Sequence, residues 1–328
     1  MTNAAVTVRD ATPADNDAII ALELESELVL GDHADAFDRS PDAFACCRIQ
    51  DDCRMIVVEL DGRIVGLLAG VMFAPVLGRK KRSLVYIHRS RVHPGYRHRG
   101  IMMALSTELF RWCAQNGGEG PCYAIAPDNV TSLEFVERGG GRWPIDVSLV
   151  DIDVRDASPV ETQPLAEEYW PAAIELINTT HASEDFFEPL TVEELRERLT
   201  RDTIYVAQHF RGVFDGDRLV AVGGLVDKGH YSERVRTDRT TGAETRGRSA
   251  ALVDWGYLPR HEAAFKRVIA SLAAEARARG RTSLTLCEPR AGAITPALPH
   301  HRSQIALFTP SIARPASVDG LFFDLLKL

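Results

Sequence analysis

Hydrophobic positions along the first half of the chain change repeatedly between strand spacing and helix spacing. β-branched residues on both sides of Asp61-Gly62 predict a hairpin, and apolar residues at helical spacing from Ile101 to Asn116 predict a helix with one buried face. The predicted elements of this half are strands at Val6–Arg9, Arg54–Leu60, Arg63–Ala74, Leu84–Val92, Cys122–Ala126 and Arg142–Val154, and helices at Ala14–Glu27, Asp35–Arg48, Ile101–Asn116 and Asn129–Arg138.

The second half repeats this order of elements after a linker at Arg155–Pro164. Its predicted elements are helices at Glu167–Asn178, Val192–Thr200 and Arg260–Arg279, strands at Tyr205–Phe214, Leu219–Val226, Ala250–Leu258 and Ser283–Cys287, and a charged mobile loop at Asp227–Ser249. Two copies of one order favour a tandem duplication over two unrelated domains. We therefore predict an α/β (α+β) fold, a mixed and mostly antiparallel twisted sheet flanked by helices, with domains at residues 1–155 and 165–328 joined by residues 156–164.

Composition and charge narrow the classes of function. The net charge of −8 over 328 residues disfavours a nucleic-acid or anionic-membrane partner. The sequence has no signal-peptide pattern and no apolar run of ~20 residues, so we expect a reduced, cytoplasmic protein. The six cysteines show no Cys-x-x-Cys spacing, and His300-His301 has no companion ligand, so no metal is predicted. Cys113 and Cys122 are expected to fill the core.

The segment from Ser90 to Leu105 carries the clearest chemistry. A strand ends there, Pro94-Gly95 forms a turn, and a helix begins at Gly100. Because the first turn of a helix has unpaired amides and a partial positive charge, it attracts phosphate. From Arg79 to Arg99 there are eight Lys or Arg and no Asp or Glu. The basic residues indicate either a polyanionic cofactor or, at Arg79–Arg82, a solvated hairpin tip.

The pattern Arg97-x-x-Gly100-x-Met102 after a strand resembles motif A of the GNAT superfamily of N-acyltransferases, with Met102 replacing a small residue. The resemblance implies that acetyl-CoA is the co-substrate. It also implies that the two strands separate between Val92 and Tyr123, so that the Val92 N–H polarises the thioester carbonyl. The implied cofactor residues are Val92, His93, Arg97, His98, Arg99, Gly100, Ile101, Met102, Asn129 and Ser132. Asn129 is equally suited to cap its helix.

The sequence indicates the catalytic acid and base less clearly than the cofactor residues. Strand alternation places Tyr86, His88 and Ser90 on one face and Arg89 and Arg91 on the other. In one branch of the family, histidines that match Tyr86 and His88 help to remove the amine proton, although His88 is as readily a structural histidine.

The family's general acid, a tyrosine, is replaced here by Val136, and Tyr123 is either its substitute or a core aromatic. In the second half, the junction Leu258–Phe265 has no glycine and carries Glu262, so this copy of the domain is predicted to be degenerate. Asp254, Trp255 and Tyr257 are expected either to line an acceptor pocket or to be buried strand residues.

The resulting hypothesis is an N-acetyltransferase that acts on the amine of a small molecule by direct attack. The alternative is a non-catalytic protein that binds or senses acyl-CoA. The acceptor, the acyl chain length and the oligomeric state, including a homodimer, stay open.

Overall fold

The computed structural model describes residues 7–50, 52–139, 142–160, 162–289, 292–309 and 324–325. The first half contains β1 Thr7–Asp10, α1 Asn16–Glu25, β2 Leu28–Leu30, β3 His33–Asp38, α2 Ala45–Arg48, β4 Cys53–Leu60, β5 Arg63–Phe73, β6 Val76–Leu77, β7 Lys80–Lys81, β8 Leu84–Val92, α3 Ile101–Gln115, β9 Pro121–Ile125, α4 Val130–Arg138 and β10 Arg142–Asp153. Most predicted elements of this half are confirmed to within two residues. Val6, the predicted start of β1, lies outside the described residues.

The second half contains β11 Gln163–Pro164, α5 Trp170–Thr180, α6 Val192–Arg201, β12 Phe210–Asp215, β13 Arg218–Val226, β14 Glu233–Asp238, β15 Glu244–Gly247, β16 Ser249–Tyr257, α7 Glu262–Ala278, β17 Ser283–Glu288 and β18 His300–Thr309. The predicted strand Tyr205–Phe214 begins only at Phe210, because a 3-10 turn at Ala207–His209 precedes it. None of the described helices is long and apolar enough to span a bilayer.

One large sheet runs through both halves of the described chain. Its twelve strands follow the order β1-β4-β5-β8-β9-β18-β10-β17-β16-β13-β12-β11. Two pairs are parallel, β8 with β9 and β16 with β17, and the other pairs are antiparallel. The structure therefore confirms the predicted mixed, mostly antiparallel sheet with flanking helices.

The two halves share local irregularities as well as element order. Arg89 in β8 has a φ of 55°, Asp254 in β16 has a φ of 46°, and each lies where the register of its strand shifts against the preceding antiparallel strand. In both halves the parallel pairing is three residues long, Val85–Ile87 in β8 and Ser249–Ala251 in β16. A short parallel pair followed by a bulge in both halves supports the predicted duplication.

The halves exchange their last strands. β10, from the first half, pairs with β17 from Ser148 to Asp153, while β18, from the second half, pairs with β9 from Ala306 to Phe308. β10 and β18 also pair with each other at the centre of the sheet. Each half of the sheet is thus completed by a strand from the other half of the sequence.

A second, four-stranded sheet joins the halves at the surface and corrects two predictions. The predicted helix Asp35–Arg48 is wrong over most of its length, because His33–Asp38 is β3, and the predicted loop Asp227–Ser249 contains the hairpin β14–β15. β14 pairs with β3, and the guanidinium of Arg236 donates to both carboxylate oxygens of Asp35 at 2.8 and 2.9 Å. The two hairpins of this sheet are joined by the pairing of β3 with β14, which are remote in sequence, so local spacing does not reveal the sheet.

Helices cover the two faces of the first half of the sheet. On one face, α3 buries Ile101, Leu105 and Leu109 against Val85 and Ile87. A Cβ at Gly66 would lie 2.5 Å from Ile101 Cγ2, so the glycine lets the helix approach the sheet. On the other face, α1 packs Ile19 and Leu22 against β4 and β5. We call these the α3 face and the α1 face.

Candidate functional site

The sheet opens between β8 and β9. Their parallel pairing stops at Ile87 and Tyr123, whereas β8 remains paired with β5 as far as Val92. The N–H of His93 donates to the Val65 carbonyl at 2.9 Å, toward β5. Because successive amides of a strand point to opposite sides, the Val92 N–H points toward the opening. This separation of the strands was expected from the sequence.

The loop after β8 leads into the start of α3, where several main-chain amides lack a main-chain acceptor. It makes one 3-10 turn at Pro94–Tyr96, then His98 and Gly100 adopt positive φ values of 63° and 77°, and α3 begins. The first α3 amide with a main-chain acceptor is that of Ala104, which donates to the Gly100 carbonyl at 3.0 Å. The amides of residues 101 to 103 therefore have no acceptor within the helix and form a site suited to an anion.

Side chains hold this loop in shape. His93 Nδ1 accepts from the Gly95 amide at 3.1 Å, Arg97 Nε lies 3.5 Å from the Val92 carbonyl, and the Arg99 guanidinium lies 5.1 Å from the centroid of the Tyr96 ring. Met102 packs partly buried against the apolar cluster under α3. The side chain that departs from the family motif is therefore accommodated by the core.

The basic residues between Arg79 and Arg99 lie in three separate parts of the structure. Lys80 and Lys81 form β7 and are exposed, which agrees with the hairpin-tip alternative. Arg89 and Arg91 are buried, and only the last part of the run, at residues 97 and 99, flanks the amides at the start of α3. The positive charge at the loop therefore comes from two arginines and the helix terminus.

The bulge in β8 corrects the predicted orientation of Arg89. Its Nη1 donates to the Ala43 carbonyl at 2.5 Å and to Cys46 Sγ at 3.2 Å, both on the α1 face, where His88 also lies. The predicted placement of Arg89 and Arg91 opposite His88 is wrong, because the extra residue of a bulge breaks the two-residue alternation. Arg91 pairs with Leu67 in β5, which is on the α1 face as well.

A buried ion pair anchors this bulge to α1. Arg89 Nη2 and Nε donate to the two carboxylate oxygens of Glu23 at 2.5 and 3.0 Å, and Arg39 lies 3.3 Å from the same carboxylate. Burial raises the pKa of Glu23, but the charges of Arg89 and Arg39 outweigh burial and lower it to about 2. Glu23 is therefore ionised and fixes the bulge.

His88 and Tyr86 lie side by side on the α1 face. Their rings stack with centroids 5.8 Å apart. Burial, together with the Arg89 charge, lowers the pKa of His88 to about 3, and burial raises the pKa of Tyr86 above its usual range. At neutral pH both side chains are therefore uncharged. Their catalytic roles stay predictions.

Two cysteines approach His88 from neighbouring elements. Cys47 of α2 and Cys53 of β4 form a disulfide, and their sulfurs and a His88 ring nitrogen all lie within 4.8 Å of one another. The expectation of a wholly reduced chain is therefore wrong for this pair, which no short Cys spacing had indicated. Cys113 and Cys122 are free and buried, so their expected place in the core is confirmed.

Tyr123 lies on the other side of the opening, near α4. Asn129 Oδ1 accepts from the Ser132 amide at 3.2 Å, which confirms the predicted cap, while their contact with a cofactor stays a prediction. Val136 is buried in a cluster with Ile125, and the half-buried Tyr123 ring packs against this cluster. Burial raises the pKa of Tyr123, so the phenol keeps its proton at neutral pH.

The equivalent region of the second half is built differently. Only Leu258 to His261 separates β16 from α7, and this junction contains no glycine. Asp254 is 4% exposed, and it accepts from Arg198 Nη1 at 2.6 Å and from the Tyr205 hydroxyl at 2.9 Å. Asp254 and Trp255 thus follow the buried-strand alternative rather than the pocket alternative.

Comparisons with known proteins agree with this geometry. The chain is similar in fold to N-myristoyltransferase of Saccharomyces cerevisiae with bound myristoyl-CoA, at 11% identity and a TM-score of 0.64, over 93% of this chain and 83% of that one. It is also similar to a GCN5-related N-acetyltransferase from Sphaerobacter thermophilus, at 14% identity and a TM-score of 0.62, over 95% and 98% of the two chains.

A search among curated proteins finds no match in sequence. A family model described as "Acetyltransferase (GNAT) family" matches residues 18–141, which include β8, the loop, α3 and β9. These residues therefore match the GNAT family, in agreement with the resemblance at Arg97–Met102.

Proposed function

We propose that the protein is an N-acetyltransferase, which takes the acetyl group from acetyl-CoA and transfers it to the amine of a small molecule. The observation that carries the proposal is the row of free amides at the start of α3, directly after a strand whose Val92 N–H faces an opening in the sheet. The amides at the start of α3 are suited to binding a diphosphate, and the Val92 N–H is suited to polarising a thioester carbonyl.

The donor is proposed to lie on the α3 face. The amides between His98 and Met103 bind the diphosphate, and Arg97 and Arg99 add positive charge. The pantetheine arm then runs along the opening between β8 and β9, past Asn129 and Ser132. This path brings the thioester carbonyl to the Val92 N–H, because Val92 lies in the opening, five residues beyond Ile87, the last β8 residue paired with β9.

The reaction needs one proton acceptor and one proton donor. The amine nitrogen attacks the carbonyl carbon, the oxyanion forms and collapses, the C–S bond breaks, and coenzyme A leaves as a thiolate. Burial lowers the pKa of His88 to about 3, so it is a poor general base, and we propose that the amine proton is lost to solvent after attack, from the ammonium of the tetrahedral intermediate, which is much more acidic than a free alkylammonium. Tyr123, beside the position of Val136, is proposed to donate a proton to the thiolate.

Turnover with a panel of amines tests this proposal. Acetyl-CoA is mixed with the protein and each amine, and release of free coenzyme A thiol is followed. Longer acyl-CoA donors belong in the panel, because one similar structure holds myristoyl-CoA. Binding of acetyl-CoA without turnover on any amine would support the alternative, a protein that binds or senses acyl-CoA. Failure to bind any acyl-CoA would refute both functions.

Replacement of Tyr123 tests the general acid. We expect Tyr123→Phe to lower kcat by about 100-fold, which is the lower end of the range for loss of a general acid. The Kd for acetyl-CoA should change little. Tyr169→Phe is the control, because Tyr169 is exposed and contacts Phe214 in the second half. An unchanged kcat in Tyr123→Phe would assign the proton to solvent.

A further inference from the structure

The side chains of two cysteines and one histidine, all potential metal ligands, lie close together on the α1 face of β8. Cys47 comes from α2, Cys53 opens β4, and His88 lies at the middle of β8, one residue beyond the last residue paired with β9. Their sulfur and ring-nitrogen atoms lie within 4.8 Å of one another, and all three residues are half-buried. Thiolate sulfur and neutral imidazole nitrogen together are the donor set of zinc.

One ring nitrogen of His88 lies within 4.8 Å of both sulfurs. His88 Nε2 is buried and makes no hydrogen bond with any residue that the structure describes. A buried ring nitrogen without a partner costs free energy, so such groups are normally paired with a donor, water or an ion. The His88 ring is held in place by the stacked Tyr86 ring, which restricts its rotation.

We propose that Cys47 and Cys53, in their reduced form, bind one zinc ion together with His88. The proposal is independent of acyl transfer. The disulfide first takes up two electrons and two protons from a dithiol reductant and becomes two thiols, and binding of Zn²⁺ then releases both thiol protons. The oxidised pair seen in the structure and the metal-bound pair are therefore two exclusive states of the same residues.

Distance and charge both suit this ion. Bonds of about 2.3 Å to sulfur and about 2.0 Å to nitrogen place neighbouring ligand atoms of a tetrahedral zinc about 3.5–3.8 Å apart. The His88 nitrogen lies within 4.8 Å of both sulfurs, and the sulfurs, which are bonded to each other in the oxidised pair, must separate to about 3.8 Å after reduction. Two thiolates and one neutral imidazole balance the charge of Zn²⁺, which favours a half-buried location. The nearby Arg89 guanidinium is paired with Glu23, a carboxylate that it shares with Arg39.

The geometry leaves one ligand position of the zinc open. Three protein ligands are the arrangement of catalytic zinc, with water or a substrate atom in the fourth position. Since His88 lies where β8 separates from β9, the metal would stand beside the opening, on the face away from the proposed coenzyme site. This last step, unlike zinc binding itself, rests on the proposed function: an amine acceptor that approaches from the α1 face would meet the fourth position.

Cobalt substitution tests the site directly. The full-length protein is reduced with excess dithiol under argon, freed of reductant, and titrated with Co²⁺ and then Zn²⁺. We expect six thiols when the reduced protein is assayed in denaturant, because four of the cysteines are buried in the folded chain. In the folded protein we expect one Co²⁺ per chain with a thiolate-to-cobalt charge-transfer band, and displacement of that band by Zn²⁺. Zinc uptake should release protons in step with binding.

Matched variants assign the ligands. Cys53→Ser and His88→Ala should each lower the zinc affinity by more than about 100-fold. This loss exceeds the one expected when a residue that only hydrogen-bonds to a metal ligand is replaced. Cys46→Ser is the control, because this neighbouring thiol contacts Arg89 instead of His88. Circular dichroism confirms that each variant is folded.

Three results would overturn the proposal. The first is reduced wild-type protein that takes up no Co²⁺, or takes it up without the charge-transfer band. The second is unchanged zinc affinity in both Cys53→Ser and His88→Ala. The third is a Cys47–Cys53 bond that persists in excess dithiol while the chain stays folded, which would make the pair a permanent staple.

Discussion

A negative charge at Gly100 gives the sharpest test of the proposed coenzyme site. Gly100 precedes α3 with a φ of 77°, and Gly117 follows the same helix with a φ of 74°. A Cβ at either position would meet no atom within 4 Å. Gly100→Glu and Gly117→Glu thus add the same side chain with the same backbone cost, about 1–2 kcal/mol, at opposite ends of one helix.

The expected loss of affinity follows from Coulomb's law. At a separation of about 6 Å and an effective dielectric constant of about 40, one carboxylate repels one phosphate charge by about 1.4 kcal/mol, so two phosphate charges give about 3 kcal/mol. That corresponds to a Kd for coenzyme A about 100-fold weaker. Gly117 lies about 23 Å along the helix, far beyond the screening length of about 8 Å, so its variant should bind normally.

Calorimetric titration of coenzyme A into the three proteins measures this difference. Thermal unfolding is the companion measurement, and both variants should melt a few degrees lower than wild type and by about the same amount. Equal Kd values for the two variants, with equal melting temperatures, would show that the diphosphate does not bind at the start of α3.

Further predictions concern stability. Glu23→Gln should lower the free energy of unfolding by about 3 kcal/mol, because it leaves the Arg89 guanidinium buried without its partner, and urea unfolding measures this. Since folding lowers the pKa of Glu23 from 4.5 to about 2, its contribution of about 3 kcal/mol is complete above pH 4.5 and is lost as the pH falls from 4.5 to 2. The gap between wild type and Glu23→Gln should therefore close over that pH range, and a constant gap would contradict the assignment. Gly66→Ala should cost about 1–3 kcal/mol, because its Cβ would lie 2.5 Å from Ile101, whereas Gly62→Ala, which meets nothing within 4 Å, should show only the cost of its φ of 75°.

The sequence predicts the parts of the site that depend on neighbours in the chain. The strand before the loop, the positive charge beside it, the glycine that precedes α3 and the Asn129 cap all fall within one 50-residue stretch, and local spacing reveals them. The structure has them where they were predicted, including the separation of the strands beyond Ile87.

Features that join remote residues were missed. The disulfide partners of α2 and β4 approach His88 only because β4, β5 and β8 lie side by side. β3 and β14 each carry too short a pattern to be recognised, and they pair across about 200 residues of sequence. The Arg89 bulge was missed for another reason: a single added residue leaves no trace in the hydrophobic pattern but places the side chains of Arg89 and Arg91 on the face opposite to the one predicted.

Because β10 and β18 are exchanged between the halves, the proposed coenzyme site is complete only after the second half of the chain has been synthesised. β9 borders the proposed coenzyme path, yet its outer edge is covered by β18, which leaves the ribosome after every other described strand. A nascent or truncated chain that stops before residue 300 would carry the whole family motif and still leave the edge of β9 unpaired, open to association with other chains. The second half of the chain, although degenerate at the cofactor loop, therefore supplies a strand that the first half requires. Separately expressed halves should become functional only when they are mixed.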